Sequence, residues 1–289
     1  MAEVFGVITG ALSVAALFNN CVECFEYIQL GRSFGRDYQT CQLRLDAARL
    51  RLSRWGEAVN VNHSDRFAAP PGDDDREAAM AIAYFEEIQH LIQGVQRSAK
   101  RYQLADPSRN TSLATPEDMT AVGNRVHNCA TETARHRQKK AGILKKMSWA
   151  LYDGKEFGQM ITTIVALLDE LEQLFPIAPA YSRLADLEIA KVDDEPSLAA
   201  LQRAAEGIDP TLSDAVARKL LLLTGSNSAG AIETEDDSEV QVGNWYSDQV
   251  MAQGLSVTDS TTNSSGDITA AGRSRVQIGN RFGGSSMAL

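Results

Sequence analysis

NSAGAIETEDDSEVQVGNWYS, residues 227–247, returns 36 residues later as NSSGDITAAGRSRVQIGNRFG, residues 263–283. Nine positions are identical without a gap, among them Asn227/Asn263, Ile232/Ile268, Val240/Val276, Gly243/Gly279 and Asn244/Asn280. Val242/Ile278 and Tyr246/Phe282 are conservative pairs. Within the first copy the even positions run Ile232, Thr234, Asp236, Ser238, Val240, Val242, and the odd ones Glu233, Glu235, Asp237, Glu239, Gln241. Side chains alternate faces along a strand, so aliphatics fall on one face and most of the charge on the other. The offset is even, so the second copy keeps that parity: Ile268, Ala270, Gly272, Ser274, Val276 and Ile278 face inward. Asp236 is the discordant inward member and is expected near a bend.

Laid over one another at the ~4.8 Å spacing of paired strands, the copies place Asp237 over Arg273 and Glu239 over Arg275. Opposite charges stack favourably where like charges would repel. Asn227 over Asn263 and Asn244 over Asn280 are positioned for amide ladders. Gly243 and Gly279 let the backbone turn where the alternation ends. Two rungs without caps leave both edges open to pairing, so a second molecule is expected to supply the next rungs. The expectation is a two-rung-per-molecule β-solenoid that grows as an amyloid. Composition alone, rich in Ser, Gly, Thr, Asn and Asp, reads as a disordered tail.

Upstream of Leu220-Leu-Leu-Leu-Thr-Gly225 the pattern changes. This sets a helical domain at 1–223 and a tail at 224–289, its repeats joined by a linker at 248–262. Apolar residues step by three or four through Tyr38, Cys41, Leu45, Ala48, Leu52, Trp55 and Val59. They do so again through Phe85, Ile88, Ile92, Val95, Ala99 and Tyr102, and through Phe157, Ile161, Ile164, Leu168, Leu171 and Phe175. Pro70-Pro-Gly-Asp-Asp-Asp75, Asp106-Pro107, Asp153-Gly154 and Pro176–Pro179 break the helices. Shorter helices are expected over 180–191, 197–206 and 211–223, and no alternating strand appears before residue 225. The fold class is an all-α bundle followed by the repeat tail.

Val4–Phe18 is apolar except for Thr9 and Ser13. As a helix it spans about 22 Å at 1.5 Å per residue, short of a hydrocarbon core of about 30 Å. It is expected to be a buried first helix in the resting protein. The net charge of −10 argues against a nucleic-acid partner. No secretory or lipidation motif is read at the start, and four irregularly spaced cysteines fit a reducing cytosol. Cys21-Val-Glu-Cys24 has redox spacing but sits in a helical stretch. His63, His90, His127 and His136 show no metal-ligand spacing and no carboxylate partner pattern. Neither a phosphate-binding loop nor a nucleophile motif is found, so the chain is not expected to be an enzyme or to carry a cofactor. The basic run Arg135-His-Arg-Gln-Lys-Lys140, with Lys145-Lys146, reads as a solvated helix face or as a contact for acidic headgroups.

Long stretches resemble the fungal heterokaryon-incompatibility HET-s/HET-S family, a HeLo domain plus a prion-forming tail. They include Leu12-Ser-Val-Ala-Ala-Leu-Phe-Asn-Asn-Cys21, Cys24-Phe-Glu-Tyr27, Leu30-Gly-Arg32, Phe34-Gly-Arg-Asp-Tyr38, Cys41-Gln-Leu-Arg-Leu-Asp46 and Leu52-Ser-Arg-Trp-Gly-Glu-Ala-Val59. Trp149-Ala-Leu-Tyr-Asp-Gly-Lys155, Val240-Gln-Val-Gly-Asn244 and Val276-Gln-Ile-Gly-Asn280 continue the likeness. The resemblance implies a programmed-cell-death protein whose tail, disordered when soluble, is templated into amyloid. The template is another copy, an allelic form or an upstream NOD-like receptor with a similar motif. It also implies that conversion destabilises the helical domain. The N-terminal segment, with Val4, Phe5, Val7, Ile8, Leu12, Val14, Leu17 and Phe18, then attacks membrane lipids. A cytoplasmic protein would thereby relocate to the cell membrane. The alternative is the non-toxic, prion-propagating allelic form with the same tail. In that family the residue after Leu-Gly-Arg is His or Pro according to allele; here it is Ser33, matching neither. The family tail ends in an aromatic cluster, whereas this one keeps Phe282 and ends Ser285-Ser-Met-Ala-Leu289.

Overall fold

The computed structural model describes residues 12–105, 112–139, 149–224, 226–243, 245–246, 261–279 and 281–282. The chain divides into two compact units, Met1–Val216 and Ala217–Leu289.

The first unit is built around α2 (Tyr38–Ala58). Every residue from 45 to 56 is buried, because α5 (Ala121–Arg137), α6 (Gly154–Leu174), α7 (Ala178–Ile189) and α8 (Glu195–Ala205) all pack on this helix. α1 (Val14–Cys24) and α4 (Arg76–Ala105) pack together on the same core. A short α3 (Asp65–Ala68) and α9 (Pro210–Thr224) complete the α-helices among the described residues. At the centre Trp55 meets Phe18, Phe85 and Phe175 at ring-centroid distances of 6.1, 5.5 and 5.7 Å. Its indole N–H donates to the Leu171 carbonyl at 3.2 Å, so the polar atom of a fully buried ring is satisfied. Gly56 is what allows this: a Cβ there would lie 2.1 Å from the Phe18 ring.

The helical expectation holds, with three corrections. First, β1 (Ile28–Leu30) and β2 (Trp149–Leu151) form a parallel pair, Ile28 opposite Trp149 and Leu30 opposite Leu151. Each is only three residues long, too short for an alternation to register in sequence. Second, the described first helix begins at Val14 rather than running through Val4–Phe18. Ser13 caps it by accepting from the Ala16 amide at 3.2 Å, and the helix continues to Cys24 on buried residues. Residues 4–11 lie outside the described residues. Third, Arg137 in the basic run is not solvated: its side chain is 9% exposed and ion-paired to Glu188.

Among its described residues the second unit contains four parallel strand pairs, all offset by 36 residues. β3 (Ser226–Ala229) pairs with β7 (Thr262–Ser265), and β4 (Ile232–Thr234) with β8 (Ile268–Ala270). β5 (Glu239–Val242) pairs with β9 (Arg275–Ile278), and β6 (Trp245–Tyr246) with β10 (Arg281–Phe282).

Candidate functional site

The rung register puts Asn227 against Asn263, Ile232 against Ile268, Glu239 against Arg275, Val240 against Val276 and Val242 against Ile278. The Asn227 amide donates to Asn263 Oδ1 at 2.9 Å. Backbone bonds of 2.8 Å join the rungs at Ile232 N to Asp267 O, Ala271 N to Thr234 O, Arg275 N to Ser238 O and Gly279 N to Val242 O. Corners stack on corners. Asp236 and Gly272 both hold left-handed φ, +59° and +74°, so the same turn recurs one rung on. Asp236 is therefore an exposed corner residue and not an inward one, since the reversal there breaks the parity. Gly243 and Gly279 turn at φ +126° and +114°. A Cβ on Gly243 would lie 2.8 Å from Asn263 Oδ1 and 3.0 Å from the Gly279 carbonyl. Glu239 and Arg275 are register neighbours but form no ion pair within 4 Å among the described residues. Asp237 and Arg273 likewise share an exposed turn position.

The two rungs differ in cover. Ile232 and Val242 are each 8% exposed, while Ile268 and Ile278 are 43% and 39% exposed. The inward set of the second copy is thus less shielded than that of the first. Asn244 and Asn280 lie outside the described residues. Phe282 is placed by its backbone, opposite Tyr246.

Of the apolar N-terminal residues, Val14, Leu17 and Phe18 are buried at 0%, 2% and 0% exposure, and Leu12 packs against the same core partly buried. Val4, Phe5, Val7 and Ile8 lie outside the described residues. No helix among the described residues is long and apolar enough to cross a membrane. Cys21 and Cys24 are one turn apart on α1 and buried. Burial raises both thiol pKa values, that of Cys24 to about 12, which suits packing and not redox chemistry. Ser33 is exposed, and its hydroxyl donates to the Tyr152 carbonyl at 2.7 Å. It ties the turn after β1 to the residue after β2. Contrary to expectation, His127 has a carboxylate partner: Nδ1 lies 2.7 Å from Asp46 Oδ2, joining α5 to α2. That hydrogen bond raises the imidazole pKa against the opposing effect of burial.

A run of buried and half-buried polar contacts was not legible in sequence. Arg54, 0% exposed, holds Glu188 at 2.8 and 2.5 Å and Asp209 at 2.9 and 2.8 Å. Asp209 also caps α9, accepting from the Leu212 amide at 3.0 Å. Arg51 donates to the Ile208 carbonyl at 2.8 Å and pairs with Asp169 and Glu172. Arg137 bonds Glu188, and its carbonyl accepts from Asn62 Nδ2 at 3.0 Å. Asn62 Oδ1 accepts from Asn19 Nδ2 at 2.7 Å, and the Lys139 amide donates to Asn19 Oδ1 at 2.7 Å.

Residues 6–201 match the HeLo family, described as prion-inhibition and propagation, and residues 219–283 match the Het-s 218-289 family. Heterokaryon incompatibility protein s of Podospora anserina is 45% identical over 263 residues, 91% of each chain. Heterokaryon incompatibility protein S of the same organism is 44% identical over 265 residues, again 91% of each. The structure of the HET-s N-terminal domain superposes with a TM-score of 0.71 at 45% identity, covering 74% of this chain and all of that one. A double mutant of that domain gives a TM-score of 0.68 at 46% identity, covering 72% and 98%.

Proposed function

Because the chain belongs to the HeLo and Het-s prion-domain family of heterokaryon-incompatibility proteins, we propose that it is an amyloid-triggered executioner of programmed cell death. The tail is templated into a β-solenoid by another copy, an allelic form or a receptor bearing a similar motif. Its conversion loosens the HeLo domain, and the N-terminal segment then permeabilises membranes from the cytoplasmic side. The stacking surface comprises the register pairs from Asn227/Asn263 to Val242/Ile278, with Gly243 and Gly279 at the corners.

The observation that carries this reading is the second rung. Ile268 and Ile278 stay exposed while their stacked partners are buried, and open strand edges with bare aliphatics are templates for more of the same. Asn19 and Asn20 make α1 a poor spontaneous inserter, and Glu23 adds to this. A carboxylate near the bilayer centre costs about 2.5–3.5 kcal/mol on insertion scales, so crowding on a fibril is what makes membrane attack feasible.

The test is to add preformed tail fibrils to full-length protein with dye-loaded anionic liposomes. Leakage that needs both seed and full-length chain supports the executioner reading. Fibrils without leakage identify the chain as the silent, prion-propagating form, and soluble monomer after prolonged seeding overturns the amyloid reading itself.

A further inference from the structure

We propose that the polar chain Asp209–Arg54–Glu188–Arg137–Asn62–Asn19, buried at its centre, is the coupling device of the helical domain. It holds α1 in place only while the N-terminus of α9 is docked. The proposal rests on the executioner reading for its purpose and on the helical domain alone for its geometry.

The charges balance as two guanidiniums against two carboxylates. Arg54 sits between Glu188 and Asp209, whose side chains are 2% and 0% exposed, and Glu188 is shared with Arg137. Asp209 is also the cap of α9, so whatever frays the start of α9 withdraws that carboxylate. Glu188 is then left alone facing two buried cations, and an uncompensated buried charge is strongly unfavourable. Arg137 is the member nearest water, its side chain 9% exposed against 0% for Arg54. It is the cation that escapes. Its own main chain is the next link: the Arg137 carbonyl and the Lys139 amide hold Asn62 and Asn19.

The two ends of the chain are built to respond. At one end, α9 is buried only over its first half, through Leu212, Ala215 and Val216, while Leu221 and Leu222 are 64% and 84% exposed. The helix ends at Thr224 and β3 begins at Ser226, so the first rung is joined to α9 through a single residue. At the other end, α1 buries Asn19 and Asn20, and Asn20 Oδ1 has no hydrogen-bond partner. Burial of Asn19 is tolerated while its bonds to Asn62 and Lys139 persist, and the unbonded Asn20 Oδ1 adds a cost to burying this face of α1.

Cys21 and Cys24, buried on α1, supply the readout. Full-length unseeded protein is alkylated, and the rate at each cysteine is mapped by mass spectrometry. Asp209→Asn keeps a good helix cap and removes the charge. It is expected to raise Cys21 and Cys24 labelling about tenfold or more through local opening, and Asn62→Ala is expected to do the same. The double variant should not exceed the larger single effect, since both break one chain. Asp75→Asn, which breaks the exposed Arg66 pair, should leave both cysteines unchanged. If Asp209→Asn does not fold, Glu188→Gln takes its place in the cycle. Unchanged Cys21 labelling, or strictly multiplicative effects in the double variant, overturns the coupling. Seeded liposome leakage of the unaltered protein is measured in parallel. Its absence would sink the executioner reading while leaving the cysteine result to stand or fall by itself.

Discussion

Reversing Arg273 and Arg275 to Glu tests the rung register most directly. Each basic residue shares its register position with an acid of the first copy, Arg275 with Glu239 in the paired strands and Arg273 with Asp237 in the adjoining turn. In a growing stack each would also face the same acid of the next molecule. At the ~4.8 Å strand spacing and the dielectric of water, a unit pair is worth about 0.9 kcal/mol before screening. Measured cross-strand pairs are worth about 0.2–1 kcal/mol. All these positions are exposed, so the low end applies. Adding one molecule makes two such pairs within the chain and two across the new interface. Turning four attractions of ~0.2 kcal/mol into repulsions therefore costs roughly 1.6 kcal/mol per molecule. The concentration of monomer left at equilibrium should rise about tenfold to twentyfold at low salt, and far less at 1 M, where the Debye length is about 3 Å. Sedimentation of fibrils followed by monomer assay measures it, with thioflavin fluorescence for growth rate. Changing Asp237 and Glu239 to Lys on the reversed background should restore the original value. A residual monomer concentration unchanged by the single-sided reversal at low salt would refute the stacking of acid on base.

Two further outcomes concern the helical domain. Phe18→Ala removes a fully buried ring packed on Trp55 and Phe85; it should cost about 3–5 kcal/mol and lower Tm by roughly 10 °C, and a Tm within 2 °C, on the order of the effect of a surface change, would show that α1 is not docked as described. His127 has a raised folded pKa because of Asp46. Its stabilising contribution is complete below the unfolded value of about 6.5 and is lost as pH rises through the folded value. The stability advantage of the protein over His127→Gln, roughly 1 kcal/mol at pH 6 for a half-buried charged bond, should shrink as the pH rises through the folded value; an advantage that widens with pH would contradict it.

How much was legible depended on how local the deciding contacts are. The tail announced its own register because stacking needs only parity and offset. Asn227 meets Asn263 and Val242 meets Ile278 at the constant spacing of 36, which the repeat displays directly. The stripes of α2, α4 and α6 were visible for the same reason: the 3.6-residue period is a property of consecutive residues. α5 was not among the helices read from a stripe, because its buried face is Gly123, Val126, Ala130 and Ala134, mostly small residues that pack against α2. The start of α1 was misplaced because the apolar run continues upstream, whereas the cap at Ser13 decides where the described helix begins.

What the sequence determined by itself was the helix-then-repeat order and the rung pairing, both set by patterns displayed along the chain. Only the tertiary structure decided which charges are buried. Arg54 reads in sequence as one more basic residue of a helix, yet its partners Glu188 and Asp209 stand 134 and 155 residues away. Asp46 and His127, 81 residues apart, and Arg137 with Glu188, 51 apart, are the same case. Burial of a charge depends on which helices close over it, and Coulomb attraction between distant side chains leaves no periodic trace along the chain. The pattern could therefore be read from residues 227–283, but the links joining α9 to α1 could be seen only once the bundle had closed around Arg54.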